Sequence, residues 1–181
     1  KPLFYYPYKA AIETEGISET YIATDDKRIS DVCDKLNVKY IITSKTHQTG
    51  SDRVAEAFFK LKKFDAVINI QGDEPFIDPS QITDVVKCFE DDATDIATLV
   101  KRVHHVKELF NPSMVKVVIN NRDQAMYFSR SVIPYLHEVP EEQWTEQYEF
   151  LEHVGIYGYT TKALMEITQL PISSLEVHEK L

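Results

Sequence analysis

Gln71-Gly72-Asp73-Glu74-Pro75 sets an amide, a glycine and two carboxylates directly after the apolar run Ala66-Val67-Ile68-Asn69-Ile70. Ligands of open α/β sheets bind beyond the carboxyl ends of strands, so this segment occupies a ligand's address. Gly72 allows close backbone approach, and Pro75 stiffens the exit. Asp73 offers a hard oxygen of the kind that holds Mg²⁺ jointly with substrate phosphates. The plainer alternative is an acidic side chain that merely caps the loop.

A second segment, His47-Gln48-Thr49-Gly50-Ser51-Asp52-Arg53, precedes an apolar-periodic stretch. Hydroxyls, a glycine and backbone N–H groups at a helix start can hold phosphate oxygens or polar base edges. N-capping by Thr49 or Ser51 accounts for the hydroxyls but leaves Arg53, whose guanidinium needs either Asp25 or a ligand as partner. Further along, Ser129-Arg130 ends a strand-like run with a fork of donors suited to a carboxylate or phosphate. His153, Tyr157 and Tyr159 alternate, so on a strand they share one face, either facing ligand or half-buried. Glu176 and Glu179 lie one helical turn apart and could meet hydroxyls or simply face solvent.

The elements that must position these groups are legible from periodicity. Tyr21–Thr24, Tyr40–Thr43 and Ala66–Ile70 are short and β-branched, as strands covered on both faces are. Helical patterns at Tyr6–Glu15, Lys27–Leu36 and Asp52–Leu61 alternate with them, and βαβα order implies a parallel sheet with right-handed crossovers. Asp78, Pro79 and Gln81 spell a capping box ahead of Ile82, Val85, Val86 and Phe89, which predicts a helix. Later, Val115–Ile119 and Ala125–Phe128 read as two strands joined through Asn120-Asn121. His137 to Glu152, rich in glutamate and free of lysine and arginine, reads as a mobile or helical surface excursion with aromatic anchors. Strand returns at Glu152–Tyr159, then helices at Lys162–Thr168 and from Ser174 onward.

At 181 residues, 43% hydrophobic and 27% charged, the chain suits one folded domain. Its formal net charge of −9 argues against non-specific nucleic-acid binding, though not against a small anion held by local donors. Cys33 and Cys88 are far apart with no CxxC pairing, which fits a reducing compartment better than a disulfide or zinc framework. No apolar run approaches a bilayer span and no secretory signal is present, so a cytoplasmic location is expected.

Taken in order, Ala23-Thr24-Asp25, the His47–Arg53 segment and Asn69–Pro75 resemble the CMP-sugar synthetases. Asn111-Pro112, Val115-Lys116-Val117-Val118, Tyr127-Phe128-Ser129-Arg130, His153–Tyr159 and Ser174-Leu175-Glu176 narrow the resemblance to the 3-deoxy-manno-octulosonate (KDO) cytidylyltransferases. It covers nearly the whole chain. Two departures stand out: only Lys1-Pro2-Leu3 remains of the family's Arg/Gly-rich phosphate loop, and the chain stops before a second metal-binding aspartate. A single nucleotidyltransferase domain over 1–181, truncated at both ends, is therefore expected.

The resemblance implies a Rossmann-like, mainly parallel sheet of the nucleotide-diphospho-sugar transferase type, with a smaller, partly antiparallel portion in the C-terminal third. It implies transfer of CMP from CTP to KDO for lipopolysaccharide biosynthesis, with Mg²⁺ as cofactor and a homodimer as the assembly. Carried over by motif, Asp73 is the metal ligand and, with Gln71 and Lys1, catalytic. Lys1, Thr24, Asp25, Gly50, Ser51, Arg53, Gln71 and Gly72 would bind the nucleotide; Arg130, His153, Tyr157 and Glu176 would bind the sugar acid. The competing readings are a cytidylyltransferase for another acid sugar, a metal-dependent glycosyltransferase using a nucleotide sugar, and a non-catalytic nucleotide-binding module.

Overall fold

The computed structural model describes residues 1–47, 49–61 and 63–180; Gln48 of the hydroxyl-rich segment, Lys62 and Leu181 lie outside the described residues. In chain order the elements are α1 (Tyr5–Glu13), β1 (Ile22–Thr24), α2 (Lys27–Leu36), β2 (Tyr40–Ile42), α3 (Gly50–Leu61), β3 (Ala66–Asn69), α4 (Pro79–Lys87) and β4 (Ile96–Arg102). There follow α5 (Val106–Leu109), β5 (Lys116–Ile119), β6 (Ala125–Ser129), α6 (Trp144–Gln147), β7 (Leu151–Thr160), α7 (Thr161–Ile167) and α8 (Ser174–Glu179). They form two compact units, one of Lys1–Thr98 with Gly155–Leu170 and one of Leu99–Val154 with Pro171–Leu181.

In the first unit, β1 and β2 pair in parallel with Ala23 opposite Ile41, as the βαβ order requires. The third strand departs from the expected parallel pairing. β3 pairs antiparallel with β7, Val67 facing Tyr159 and Asn69 facing Tyr157. That register delivers Tyr159, 3% exposed, into a core with Ala55, Phe58 and Leu164, a burial that local periodicity could not reveal. The antiparallel portion thus begins before the C-terminal third. α4 has the expected capping box: Asp78 accepts from the Ser80 N–H at 2.9 Å while Gln81 accepts from the Asp78 N–H at 2.9 Å. Its Ile82 and Val85 are fully buried. An ideal Cβ on Gly158 would stand 2.4 Å from a ring carbon of Phe89 and 2.8 Å from Val85 Cγ1, so only glycine lets this helix end press so closely on β7.

In the second unit, β5 is the middle strand, antiparallel to β6 (Lys116 opposite Ser129) and to the start of β7 (Lys116 opposite Glu152). The expected surface excursion with aromatic anchors at 137–152 is present, mostly exposed and helical at Trp144–Gln147. Trp144 is 3% exposed and Phe150 is fully buried; with Val103 and Leu109 they form this unit's core. The Trp144 and Phe150 rings stack at 5.9 Å, and the indole N–H donates to Val139 O at 2.9 Å. Burial of two large aromatics outweighs the polarity of the glutamates around them.

Candidate functional site

β3 ends at Asn69, and the chain turns at Gly72-Asp73, closed by a hydrogen bond from Glu74 N–H to Gln71 O at 3.3 Å. Gln71 through Glu74 are exposed. Among the described residues no hydrogen bond or ion pair engages the Asp73 carboxylate, which stands open to solvent at the strand tip. Phe4 lies beside this turn: its Cβ is 3.7 Å from where a Cβ on Gly72 would sit. The chain start therefore passes the Asp73 loop, with the Lys1 ammonium 3.8 Å from the centre of the Tyr5 ring.

The amino end of α3 meets the same strand tip. A Cβ on Gly50 would lie 3.7 Å from Asn69 Nδ2 and 3.9 Å from Gln71 Nε2, so two side-chain amides stand against the helix start. Thr49 performs the capping: its hydroxyl accepts from the Asp52 N–H at 3.1 Å and donates to the Asp52 carboxylate at 2.7 Å. Ser51 is instead 3.3 Å from the Tyr159 hydroxyl. Arg53 has its protein partner. Nη1 is 3.1 Å from Asp25 Oδ1 and donates to Thr43 Oγ1 at 2.6 Å and Ser44 O at 3.3 Å. Thr24, 4% exposed, accepts the Thr43 N–H at its carbonyl and the Asp26 N–H at its hydroxyl, and so fixes the turn that carries Asp25. Glu56, which sequence reasoning missed, ties the 44–47 segment to α3 by accepting from Ser44 N–H at 2.7 Å, from Lys60 at 2.7 Å and from His47. Lys60 above all, then Ser44 and His47, hold its carboxyl down at about 2. Only its (i, i+4) spacing to Lys60 was a signal.

Tyr157 and Tyr159 share a face of β7, their rings stacked at 5.9 Å. Burial, then the Tyr159 phenol, pushes the Tyr157 phenol up to about 12, so it remains a neutral hydroxyl. An apolar cavity of about 210 Å³ lies against β1 and β3, lined by Phe4, Tyr8, Ile22, Val54, Val67 and Gly72 among others; Gly72 is the one residue it shares with the candidate set.

The second unit carries the other candidates. His153 lies edge-on to Phe128 with ring centres 5.3 Å apart, and its main-chain N–H donates to Val115 O at 2.8 Å. Burial lowers its imidazole below the ordinary histidine range, favouring the neutral ring. The Arg130 guanidinium does not present a free fork. Nε donates to Glu179 O at 2.6 Å, Nη1 to Pro112 O at 2.8 Å and Nη2 to Lys180 O at 2.9 Å. Glu176 is drawn into a capping box with Ser173, whose N–H it accepts at 2.7 Å. The glutamate that reaches the end of β6 is its neighbour one turn on. Glu179 accepts from Arg130 N–H at 2.9 Å, Ser129 Oγ at 2.8 Å and Tyr127 Oη at 3.2 Å, and these donors, the Arg130 amide first, lower its pKa. Lys116 was also missed: a charged residue in an apolar strand gives no sequence hint that three carbonyls await it.

Among the described residues no group of three or more His, Cys, Asp or Glu side chains forms a ready-made metal cage. The open Asp73 carboxylate nonetheless fits Mg²⁺, which takes one or two carboxylates and completes its octahedron with water and phosphate oxygens. No helix among the described residues is long and apolar enough to cross a membrane.

Comparison with known proteins gives a consistent set of likenesses. The cytidylyltransferase family model matches residues 1–181. The 3-deoxy-manno-octulosonate cytidylyltransferase of Parabacteroides distasonis is 41% identical over 100% of this chain and 73% of its own length. That of Phocaeicola vulgatus is 44% identical over the same shares, 100% and 73%. Among solved structures, CMP:2-keto-3-deoxy-manno-octonic acid synthetase complexed with CTP superposes with a TM-score of 0.92 at 38% identity, covering 100% of this chain and 72% of that one.

Proposed function

We propose, from the premise that the chain belongs to the cytidylyltransferase family, that it transfers CMP from CTP to 3-deoxy-manno-octulosonate and releases pyrophosphate. The observation that carries this reading is the likeness, over the whole chain, to a synthetase of that sugar nucleotide complexed with CTP. In the reaction the anomeric hydroxyl oxygen of the sugar acid forms a bond to the α-phosphorus of CTP. The α–β phosphoanhydride bond breaks, pyrophosphate leaves with the bonding electrons, and the hydroxyl proton passes to solvent. Such transfers depend on positioning and charge neutralisation more than on covalent participation by the protein.

The chain's residues divide this work. Gly50 and Ser51 at the start of α3 border the base, with Arg53 and Asp25 bracing that loop from below, and Thr24 fixing Asp25. Gln71 and Gly72 line the nucleotide at the tip of β3, and Lys1 contacts the triphosphate. Asp73 would hold Mg²⁺, and that ion would supply charge neutralisation at the transferred phosphate. His153, as a neutral imidazole, and the Tyr157 hydroxyl offer hydrogen bonds to the sugar. Arg130 and Glu176, whose polar atoms are engaged within the second unit, shape its sugar-binding surface. We further propose a cytoplasmic homodimer that feeds lipopolysaccharide assembly.

The test is pyrophosphate release by the full-length protein from CTP, Mg²⁺ and a panel of sugar acids. Release with 3-deoxy-manno-octulosonate above all others is expected; release with a sialate alone would replace the substrate. Asp73→Asn should lower kcat by about 100-fold or more, because a metal-bound charge acting at the transferred phosphate is worth several kcal/mol, while the melting temperature stays put. Near wild-type turnover in that variant would sink the metal role.

A further inference from the structure

Lys116 is fully buried, 0% exposed, and no carboxylate accepts from it among the described residues. Its ammonium donates instead to three main-chain carbonyls: Asn111 O at 3.1 Å, Met114 O at 2.7 Å and Arg130 O at 2.6 Å. A neutral amine has two N–H donors and a lone pair that would confront the third carbonyl. The three-acceptor geometry therefore specifies the protonated form, even though burial lowers this lysine's pKa.

The position of the clamp gives it meaning. Lys116 sits on the middle strand, opposite Ser129 of β6 and Glu152 of β7, the residues adjacent to Arg130 and His153. Arg130 is thereby held at its main chain and at all three guanidinium nitrogens. Its carbonyl is held by Lys116, its N–H by the Glu179 carboxylate, and its guanidinium by the carbonyls of Pro112, Glu179 and Lys180. The turn at 111–114, the end of β6 and the end of α8 are tied together through two buried or half-buried cations. A stabilising purpose alone is poorly served by a buried ammonium whose direct acceptors are carbonyls, with the carboxylates of Glu152 and Glu179 acting on it only through space, since an apolar side chain of similar volume would cost less desolvation.

We propose that Lys116 is a positioning residue for sugar-acid binding: through Arg130 O and the 111–114 turn it fixes the surface of the second unit that receives the acid. This rests on the function proposed above.

The experiment is steady-state kinetics of the full-length protein with CTP and 3-deoxy-manno-octulosonate varied in turn, for wild type and Lys116→Met. Methionine keeps the apolar stem and deletes the ammonium. The expected result is a rise of about tenfold or more in the KM for the sugar acid, with the KM for CTP changed less than about twofold, because misplacement by an ångström carries penalties of that order. Amide exchange over 128–131 should quicken in parallel. Unchanged KM for the sugar acid, or equal rises in both KM values, overturns the proposal. Should Lys116→Met fail to fold, Glu179→Ala releases Arg130 from its opposite side at the exposed end; the same selective rise is expected, and its absence overturns the proposal. Wild-type protein without turnover on this pair defeats the functional reading and the positioning role together, and the wild-type control tells that outcome apart from the others.

Discussion

Arg53→Met isolates the contact that braces the nucleotide-side loop. Methionine preserves most of the stem and deletes every donor, leaving Asp25, Thr43 Oγ1 and Ser44 O without the guanidinium they share. A hydrogen bond to a charged group is worth about 1.5–3 kcal/mol when shielded. The side chains of Arg53 and Asp25 are 23% and 33% exposed, so water compensates part of the loss at Asp25 and draws that share toward the ~0–1 kcal/mol of a surface pair. The 2.6 Å bond to Thr43, which is 4% exposed, carries the rest, giving a loss of about 2 kcal/mol. For a chain of this size that is a fall of about 4–8 °C in melting temperature. Urea unfolding at neutral pH without nucleotide measures the loss. A cycle with Asp25→Asn should return a coupling of about 0.5–1 kcal/mol. A loss below about 0.5 kcal/mol, within the range of surface substitutions, or a vanishing coupling, would refute the idea that Asp25 and Thr43 are the guanidinium's working partners.

Two further outcomes are expected away from the loop. Gly158→Ala forces a methyl group against Phe89 and Val85, at 2.4 and 2.8 Å before relaxation, and should destabilise by about 1–3 kcal/mol; denaturation within about 0.5 kcal/mol of wild type would contradict the close helix–strand approach. Glu56, with its carboxyl lowered from 4.5 to about 2, binds a proton more readily in the unfolded chain. Its contribution is therefore complete above about pH 4.5 and is lost as pH falls toward 2. Glu56→Gln should consequently lose less stability than wild type between pH 5 and 3 in urea titrations, and parallel losses would remove Glu56 as the anchor of the 44–47 segment.

The elements legible in the sequence were those specified by their own neighbours. α4 was readable because its cap and its buried face lie within one short stretch, and α2 because its limits coincide with local punctuation. β1 and β2 followed from strand–helix–strand order. The Asp73 turn was readable from its place directly after an apolar strand, and Asp73 does stand open at that tip. What stayed hidden was non-local. The antiparallel pairing of β3 depends on Tyr159, more than ninety residues away along the chain, entering a core shared with Phe58. Trp144 and Phe150 were legible as anchors, but not the partners Val103 and Leu109 that they meet in the core. Arg130 looked like a free fork because main-chain carbonyls, which meet it only after folding, have no signature in the sequence. Glu176 was named from its motif while spacing left it and Glu179 equivalent, because spacing along a helix shows which residues share a face but not which of them a neighbouring strand will reach.

The most direct test of the whole account is ³¹P NMR of the full-length protein turning over CTP and 3-deoxy-manno-octulosonate with Mg²⁺. A phosphodiester resonance growing in step with pyrophosphate, coupled to the anomeric carbon of the sugar, is the predicted result. Orthophosphate and CDP as products, or CTP left intact beside unreacted sugar acid, would contradict nucleotidyl transfer.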